Sequence, residues 1–335
     1  MTLKISVVDQ SPVHGSHPKI DAPSLTLELA QLCDQLGYHR YWVAEHHDSV
    51  HFANPCPEIL VATIAAQTQR IRVGSGGVML SHYSPLKVAE CFAMLANIHP
   101  DRIDLGVGRA PGGSGLTSTA LAFPGQPSHG ELYASQADML RGFVTGQMDH
   151  RSPYASIHVL PDASRQPQLW MLGSSGGSAG LAGRLGYNLA LARFIDPDNC
   201  RPQIFRQYEA EWQKSGHQGS PQKILAIACI CAETEAEAKH RAGTAVFRKL
   251  AAQMGEREAF LTPDQVQDRY RSLPVSLQAE YEHILSGYTV GTPEQCWQEM
   301  EALAADYGCD EITAVTVTHS QQHRLDSYRL LASGF

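Results

Sequence analysis

Between Ile71 and Gly113 two short apolar runs, each rich in β-branched residues, end in glycines. The first, Ile71 to Val73, reads as a buried strand. Gly74, Ser75, Gly76 and Gly77 follow it, where no ordinary side chain shields the backbone. Ser84 and Pro85 then offer an N-cap and first-turn pair, and Leu86, Ala89, Ala93 and Leu95 or Ala96 recur at helical spacing. The second run, Ile103 to Val107, ends in Gly106, Gly108, Arg109, Pro111, Gly112 and Gly113. A chain that twice carries glycines at the carboxyl end of an apolar strand, with a helix between, is expected to be an α/β protein. In such folds that edge is where ligands bind.

The rest of the chain repeats the alternation. Strands are predicted at Leu3–Val8, Tyr41–Ala44, Leu169–Leu172, Leu189–Ala192, Ile224–Cys231 and Ile312–Val317. Helices are predicted between them: from Asp21 and Pro23 to Leu36, stopped by Gly37; over Pro57–Thr68 with Ile59, Leu60, Ile64 and Ala65 inward; over Gly130–Thr145 with Leu132, Leu140 and Phe143; and over Pro197–Ser215. Further helices run to Leu185, from Thr292 to near Gly308, and through Leu331 at the end. The stretch 146–166 reads as a polar excursion. The stretch of about 234–290, helical, charged and broken at Pro263 and Pro274, reads as an insertion. The strands show little polar alternation, as expected when both faces are buried. Eight strands in 335 residues fit an α/β (β/α)8 TIM barrel with inserted segments, one domain spanning 1–335; a doubly wound sheet is the competitor.

Charge and composition narrow the partners. The formal charge of −8 and the lack of a basic tract argue against nucleic acid. No apolar run approaches the ~20 residues of a membrane span, and MTLKISVVDQSP is too short and polar for a signal peptide. The eight cysteines form no paired metal pattern and read as reduced thiols of a cytoplasmic protein; Cys229 and Cys231 share one strand face.

Several residues carry chemistry at the strand ends. The turn Gly173-Ser174-Ser175-Gly176-Gly177-Ser178 follows a strand and opens a helix, so its N–H groups converge on one spot suited to a phosphate. A plain helix start reads equally well. Arg109 suits an anion or a structural ion pair. Glu45, His46 and His47 are acid/base or metal candidates. Adjacent histidines on an extended segment point to opposite sides, so one is expected in the site and one in the wall, with no metal site. His51, His82 and His319 read as polar lining, and Trp42, Phe52, Met79, Tyr83 and Phe194 as apolar walls tolerant of many organic molecules.

VVDQSP, YWVAEHHDS, RIRVGSGGVMLSHYSPLKVAE, RIDLGVGRAPGG, WMLGSSGGSAGLAGRLG and THSQQHRLDSYRLLA, in this order, resemble the bacterial luciferase-like flavin-dependent monooxygenases. The resemblance spans nearly the whole chain and is closest to the small single-chain members. It implies the same (β/α)8 barrel and FMN bound at the strand ends, often supplied reduced by a separate NAD(P)H:flavin reductase, and a homodimer. By position it implies that Arg109, Ser174, Ser175, Gly176 and Ser178 hold the phosphate. A non-proline cis peptide at Gly76–Gly77 would lie under the isoalloxazine ring, with His46, partnered by Glu45, in the reaction pocket. Gly108 and Ser174 replace a cysteine and an acidic residue of the light-emitting subunit, so light emission and an aldehyde substrate are not implied. Two alternatives accompany this reading: deazaflavin-dependent hydride transfer on the same barrel, and a non-catalytic flavin-binding subunit.

Overall fold

Eight parallel strands close into a ring in chain order: β1 (Lys4–Asp9), β2 (Arg40–Val43), β3 (Arg72–Met79), β4 (Ile103–Gly108), β5 (Gln168–Gly173), β6 (Asn188–Ala192), β7 (Lys223–Cys231) and β9 (Glu311–Val315). The computed structural model describes residues 3–15, 17–127, 130–161 and 164–335. Pairing of β6 with β7, β7 with β9 and β9 with β1 completes the ring. The three-residue β8 (Thr289–Gly291) adds to β7 outside it. Between the strands run α1 (Ala22–Leu36), α2 (Pro57–Gln67), α3 (Pro85–Ile98), α4 (Gly115–Ala122), α5 (Tyr133–Thr145), α6 (Gly176–Leu185) and α7 (Gln203–Lys214). The stretch 234–290 holds α8 (Glu235–Gln253), α9 (Pro263–Ser272) and α10 (Val275–Ser286), with α9 beginning at Pro263 and Pro274 directly preceding α10. Then come α11 (Pro293–Tyr307) and α12 (Gln321–Leu331). The barrel is therefore as expected, and the doubly wound sheet is excluded because its edges would not pair.

Four local expectations need correction. The glycines after Val73 do not end the strand: β3 continues through them to Met79. They are needed because β3 and β4 pack closely; a Cβ on Gly77 would lie 2.7 Å from the Gly106 carbonyl oxygen, and one on Gly106 would lie 2.3 Å from that of Ser75. Ile59 is 61% exposed, since the inward stripe of α2 is Leu60, Val61, Ile64 and Ala65. Leu132 precedes α5 and is exposed. The helix after Pro197 begins only at Gln203.

Period-two alternation divides the strand side chains into two sets. Val7, Tyr41, Val43, Val73, Leu105, Met171, Ile227, Cys229 and Cys231 face the helices. Val8, Trp42, Ala44, Trp170, Ala190, Ala228 and Val315 face the barrel interior. The interior is stratified. At its amino-terminal end Arg40 bridges Asp104 (2.6 Å) and Glu311 (2.5 Å), and Arg72 joins Asp104 at 2.6 Å. Above lies the edge-to-face pair Trp42–Trp170, centroids 5.3 Å apart, with the Arg40 guanidinium 4.7 Å from the Trp170 ring. Towards the carboxyl ends many inward positions are small, Ala44, Gly76, Gly106, Ala190 and Ala192, and the Leu172 side chain lies against Gly77 and Gly106. The barrel is thus plugged with charge and indole below and lined largely by small residues above.

Candidate active site

The open mouth is built from the segments that leave β2, β3, β4 and β5. The Gly76–Gly77 peptide bond is cis, and the β3–β4 register slips there, with Gly76 opposite Gly106 but Val78 opposite Val107. A Cβ on Gly76 would lie 2.9 Å from the Cβ of Trp42. At this level the Gly76 backbone lies directly on Trp42, with the Leu172 side chain against Gly77.

Beyond β2 the alternation continues into Glu45, His46 and His47. Glu45 is 1% exposed. One carboxylate oxygen accepts from the His47 imidazole and the Tyr83 hydroxyl, each at 2.7 Å, and the other accepts the Met79 N–H at 2.9 Å. Glu45 therefore faces His47 and Tyr83 rather than His46, which differs from the expected Glu45–His46 pairing. Its two oxygens tie the end of β2 to the end of β3. The Tyr83 hydroxyl is pushed well up by burial and by the Glu45 charge, so it stays a donor.

His46 lies on the other side of the segment. Its N–H donates to the Asn54 carbonyl (2.8 Å), and the Asn54 side chain donates to the Ala44 carbonyl (2.9 Å), so the loop is pinned from both ends. The ring packs on Phe52 with centroids 4.7 Å apart, its Nδ1 is buried, and the Ala44 backbone lies within its reach. Burial, then the positive charges of Arg248 and His47, hold its pKa down at about 4. His46 is thus a neutral imidazole at ordinary pH. His51 and His82 each face a backbone carbonyl, of Glu258 (2.7 Å) and Pro111 (2.8 Å), consistent with polar lining.

The anion candidates come from β4 and β5. Val107 pairs with Met171 on the adjoining strand, and Arg109 directly follows the end of β4. The Ser174–Ser178 turn leads directly into α6, whose N-cap Ser175 makes no side-chain cap. The first N–H groups of that helix therefore keep their donors. A Cβ on Gly173 would lie 2.4 Å from the Ser178 hydroxyl, so the turn is folded tightly on itself. Arg109 is exposed. It lines a cavity of about 210 Å³ with Ser81, His82, Pro111, Gly115 and Ser118, and the Ser174–Ser178 turn is not part of that lining. The two parts sit on neighbouring strand ends without touching. Their donor chemistry, one guanidinium and an uncapped helix start of ten residues, fits a phosphate group. Among the described residues no group of three or more His, Cys, Asp or Glu side chains is placed to hold a metal ion. Among the described residues no helix is long and apolar enough to cross a membrane.

Arg248 was not singled out from the sequence; it reads there as one charge among many in a charged helical stretch. Its guanidinium stands 5.4 Å from the Phe52 ring centroid, beside His46.

Comparison with known proteins agrees with this architecture. The sequence model of the family described as luciferase-like monooxygenase matches residues 1–311. The uncharacterized protein YwcH of Bacillus subtilis (strain 168) is 37% identical, the match covering 99% of each chain. The N-acetyl-S-alkylcysteine monooxygenase of the same organism is 31% identical over 98% of this chain and 97% of its own. The crystal structure of apo-MsnO8 is similar at TM-score 0.88 and 38% identity, covering 99% of this chain and 98% of its own. Two more distant structures share the fold. One is the oxygenating constituent of 3,6-diketocamphane monooxygenase from Pseudomonas putida in complex with FMN (TM-score 0.73, 17% identity, 99% and 96% covered). The other is an F420-dependent secondary alcohol dehydrogenase with an F420-acetone adduct (TM-score 0.71, 15% identity, 98% of each covered). With a family model matched along residues 1–311 and full-length relatives above 30% identity, this chain belongs to the luciferase-like monooxygenase family.

Proposed function

We propose that the chain is an FMN-dependent monooxygenase acting on a small organic molecule, with reduced FMN delivered by a separate NAD(P)H:flavin reductase. What supports this reading is that Arg109 and the uncapped α6 start follow the neighbouring strands β4 and β5, beside the side-chain-free backbone at Gly76–Gly77. In this reading Arg109 and the Ser174, Ser175, Gly176 and Ser178 donors hold the phosphate, and Gly76 and Gly77 support the ring. His46 faces the reacting atoms and, being neutral, accepts a proton or donates its N–H. Glu45 is a positioning residue that fixes Met79, Tyr83 and His47. When bound, reduced FMN supplies the electrons that activate oxygen. The eight cysteines are free thiols, which suits a reducing cytoplasm.

Arg109→Ala is expected to weaken FMN binding by roughly ten- to a hundred-fold, the loss of a charge-assisted contact worth ~1.5–3 kcal/mol. Riboflavin, which lacks the phosphate, should lose little. Fluorescence titration of both ligands decides: equal weakening of the two would make Arg109 structural.

The homodimer is part of the same proposal. Neighbouring helices α2 and α3 expose Ile59, Met94 and Ile98, at 61%, 58% and 60%, and large exposed apolar side chains on adjoining helices favour burial against another chain. Sedimentation equilibrium should give twice the chain mass, reduced to the monomer by the double change Ile59→Asp and Met94→Asp. A native monomer would refute it.

A further inference from the structure

The helical stretch after β7 carries cations that the reading above does not use. The buried face of α8, with Ala242, Ala245, Val246 and Leu250, belongs to the same apolar cluster as Trp42, Trp170, Ala190, Ala228 and Val315 inside the barrel. The helix therefore lies against the open mouth, and Arg248 comes from it. Its guanidinium is 5.4 Å from the centroid of Phe52, whose ring packs at 4.7 Å on His46 and at 6.1 Å on Phe260.

Among the described residues Arg248 has no anionic partner. No carboxylate pairs with it among the described residues, its Nε is buried without a hydrogen bond, and its charge is favoured by the Phe52 ring face and the Tyr288 phenol. Its nearest cationic neighbour makes the field more positive. Lys249 donates its Nζ to the Phe194 carbonyl and stands 4.9 Å over the Tyr288 ring. Burial, then Arg248, brings its pKa down to about 8. A guanidinium stays charged under all ordinary conditions, and a largely buried charge without a counter-ion is costly. A flat, two-donor cation at the rim of an apolar mouth is matched by a carboxylate, which accepts two parallel N–H bonds from it. Arg109 and the α6 start lie at the ends of β4 and β5, whereas Arg248 reaches the mouth from α8 to the loop after β2, so the two cationic places are separate.

We infer that Arg248 is an anion subsite for the substrate, seating the carboxylate of an apolar organic acid while its hydrocarbon part lies along Phe52 and Phe260 beside His46. This rests on the reading that the mouth is the reaction site, and it names the substrate class of that site.

The test uses the whole chain without flavin, so its outcome is independent of cofactor identity. Octanoate, 4-phenylbutanoate and indole-3-acetate, each beside its primary amide, are titrated calorimetrically into wild type, Arg248→Gln and Arg248→Lys. At least one acid should bind about ten- to a hundred-fold more tightly than its amide. Arg248→Gln should abolish that preference and Arg248→Lys should retain part of it. FMN affinity should be the same in all three proteins. If no acid binds more tightly than its amide to the wild type, a comparison that needs no variant, the subsite is wrong. A preference that survives Arg248→Gln overturns it as well. Neither failure touches the FMN-against-riboflavin titration, which tests the cofactor reading by itself.

Discussion

His46→Ala is expected to retain flavin binding and to lose product formation by about 10²- to 10⁴-fold, the usual range for a positioned acid/base group. The expectation follows from where the segment 45–47 points. Glu45 and His47 turn to each other and to Tyr83, which leaves His46 on the opposite side of the segment, packed on Phe52. Burial, Arg248 and His47 hold the ring neutral down to about pH 4. Activity limited by His46 should therefore be flat above about pH 5 and fall only near pH 4, not near the ordinary histidine value of 6.5. The same shift has a stability sign. The folded state keeps His46 unprotonated while the unfolded chain takes up a proton below about pH 6.5. Stability from this group is then full above 6.5 and lost as pH falls towards 4. The measurement is oxygen consumed against product formed, for wild type and variant. A variant with unchanged product yield would make His46 part of the scaffold.

Arg324→Leu should destabilise the fold by about 3–5 kcal/mol, because it strands a buried carboxylate. Asp9 and Arg324 are 0% and 1% exposed and lie 2.6 Å apart. The same Asp9 takes the Ser11 N–H at 2.6 Å and the Tyr41 hydroxyl, while Arg324 also donates to the Thr316 carbonyl at 3.0 Å. The pair fastens α12, the last helix, to β1 and β2. Burial by itself would raise the Asp9 pKa; Arg324, with Tyr41 and the Ser11 N–H, outweighs it and lowers the pKa below the usual 3.8. In wild type this contribution is present above about pH 4 and lost as pH falls through the lowered folded value. In the variant the shift reverses, so the loss should be largest near neutral pH and shrink on acidification towards pH 4. Urea unfolding at pH 7 and pH 4.5 reads both effects. Equal midpoints for the two proteins at pH 7 would contradict the role given to the pair.

Much of this fold was legible because each barrel strand is a short apolar run followed by a turn or helix signal. What escaped has physical causes. Gly74 to Gly77 read as the end of a strand, since glycine weakens isolated strands. Inside a closed barrel the neighbours hold the backbone extended, and the missing side chains let β3 approach β4. The strand β8 is three residues long and carries no period. Ile59 misled because α2 is apolar nearly all round, so its sequence does not say which face is buried. At the site, the opposite orientation of His46 and His47 followed from strand alternation alone. That Glu45 serves His47, Tyr83 and Met79 could not be read, because it depends on where β3 brings Met79 and Tyr83. Arg248 was hidden for the same reason: only the folding of α8 against the mouth separates it from the other charges of its helix.

The central claim is that the mouth holds reduced FMN and handles oxygen there. The most direct measurement mixes the protein, preloaded with photoreduced FMN under argon, with air-saturated buffer and follows flavin reoxidation by stopped-flow absorbance. A parallel anaerobic titration uses a reduced deazaflavin. The account predicts one FMN per chain, a reoxidation time course clearly altered from that of free reduced FMN, and no preference for the deazaflavin. Reoxidation identical to free FMN, or tighter binding and anaerobic turnover with the reduced deazaflavin, would contradict it.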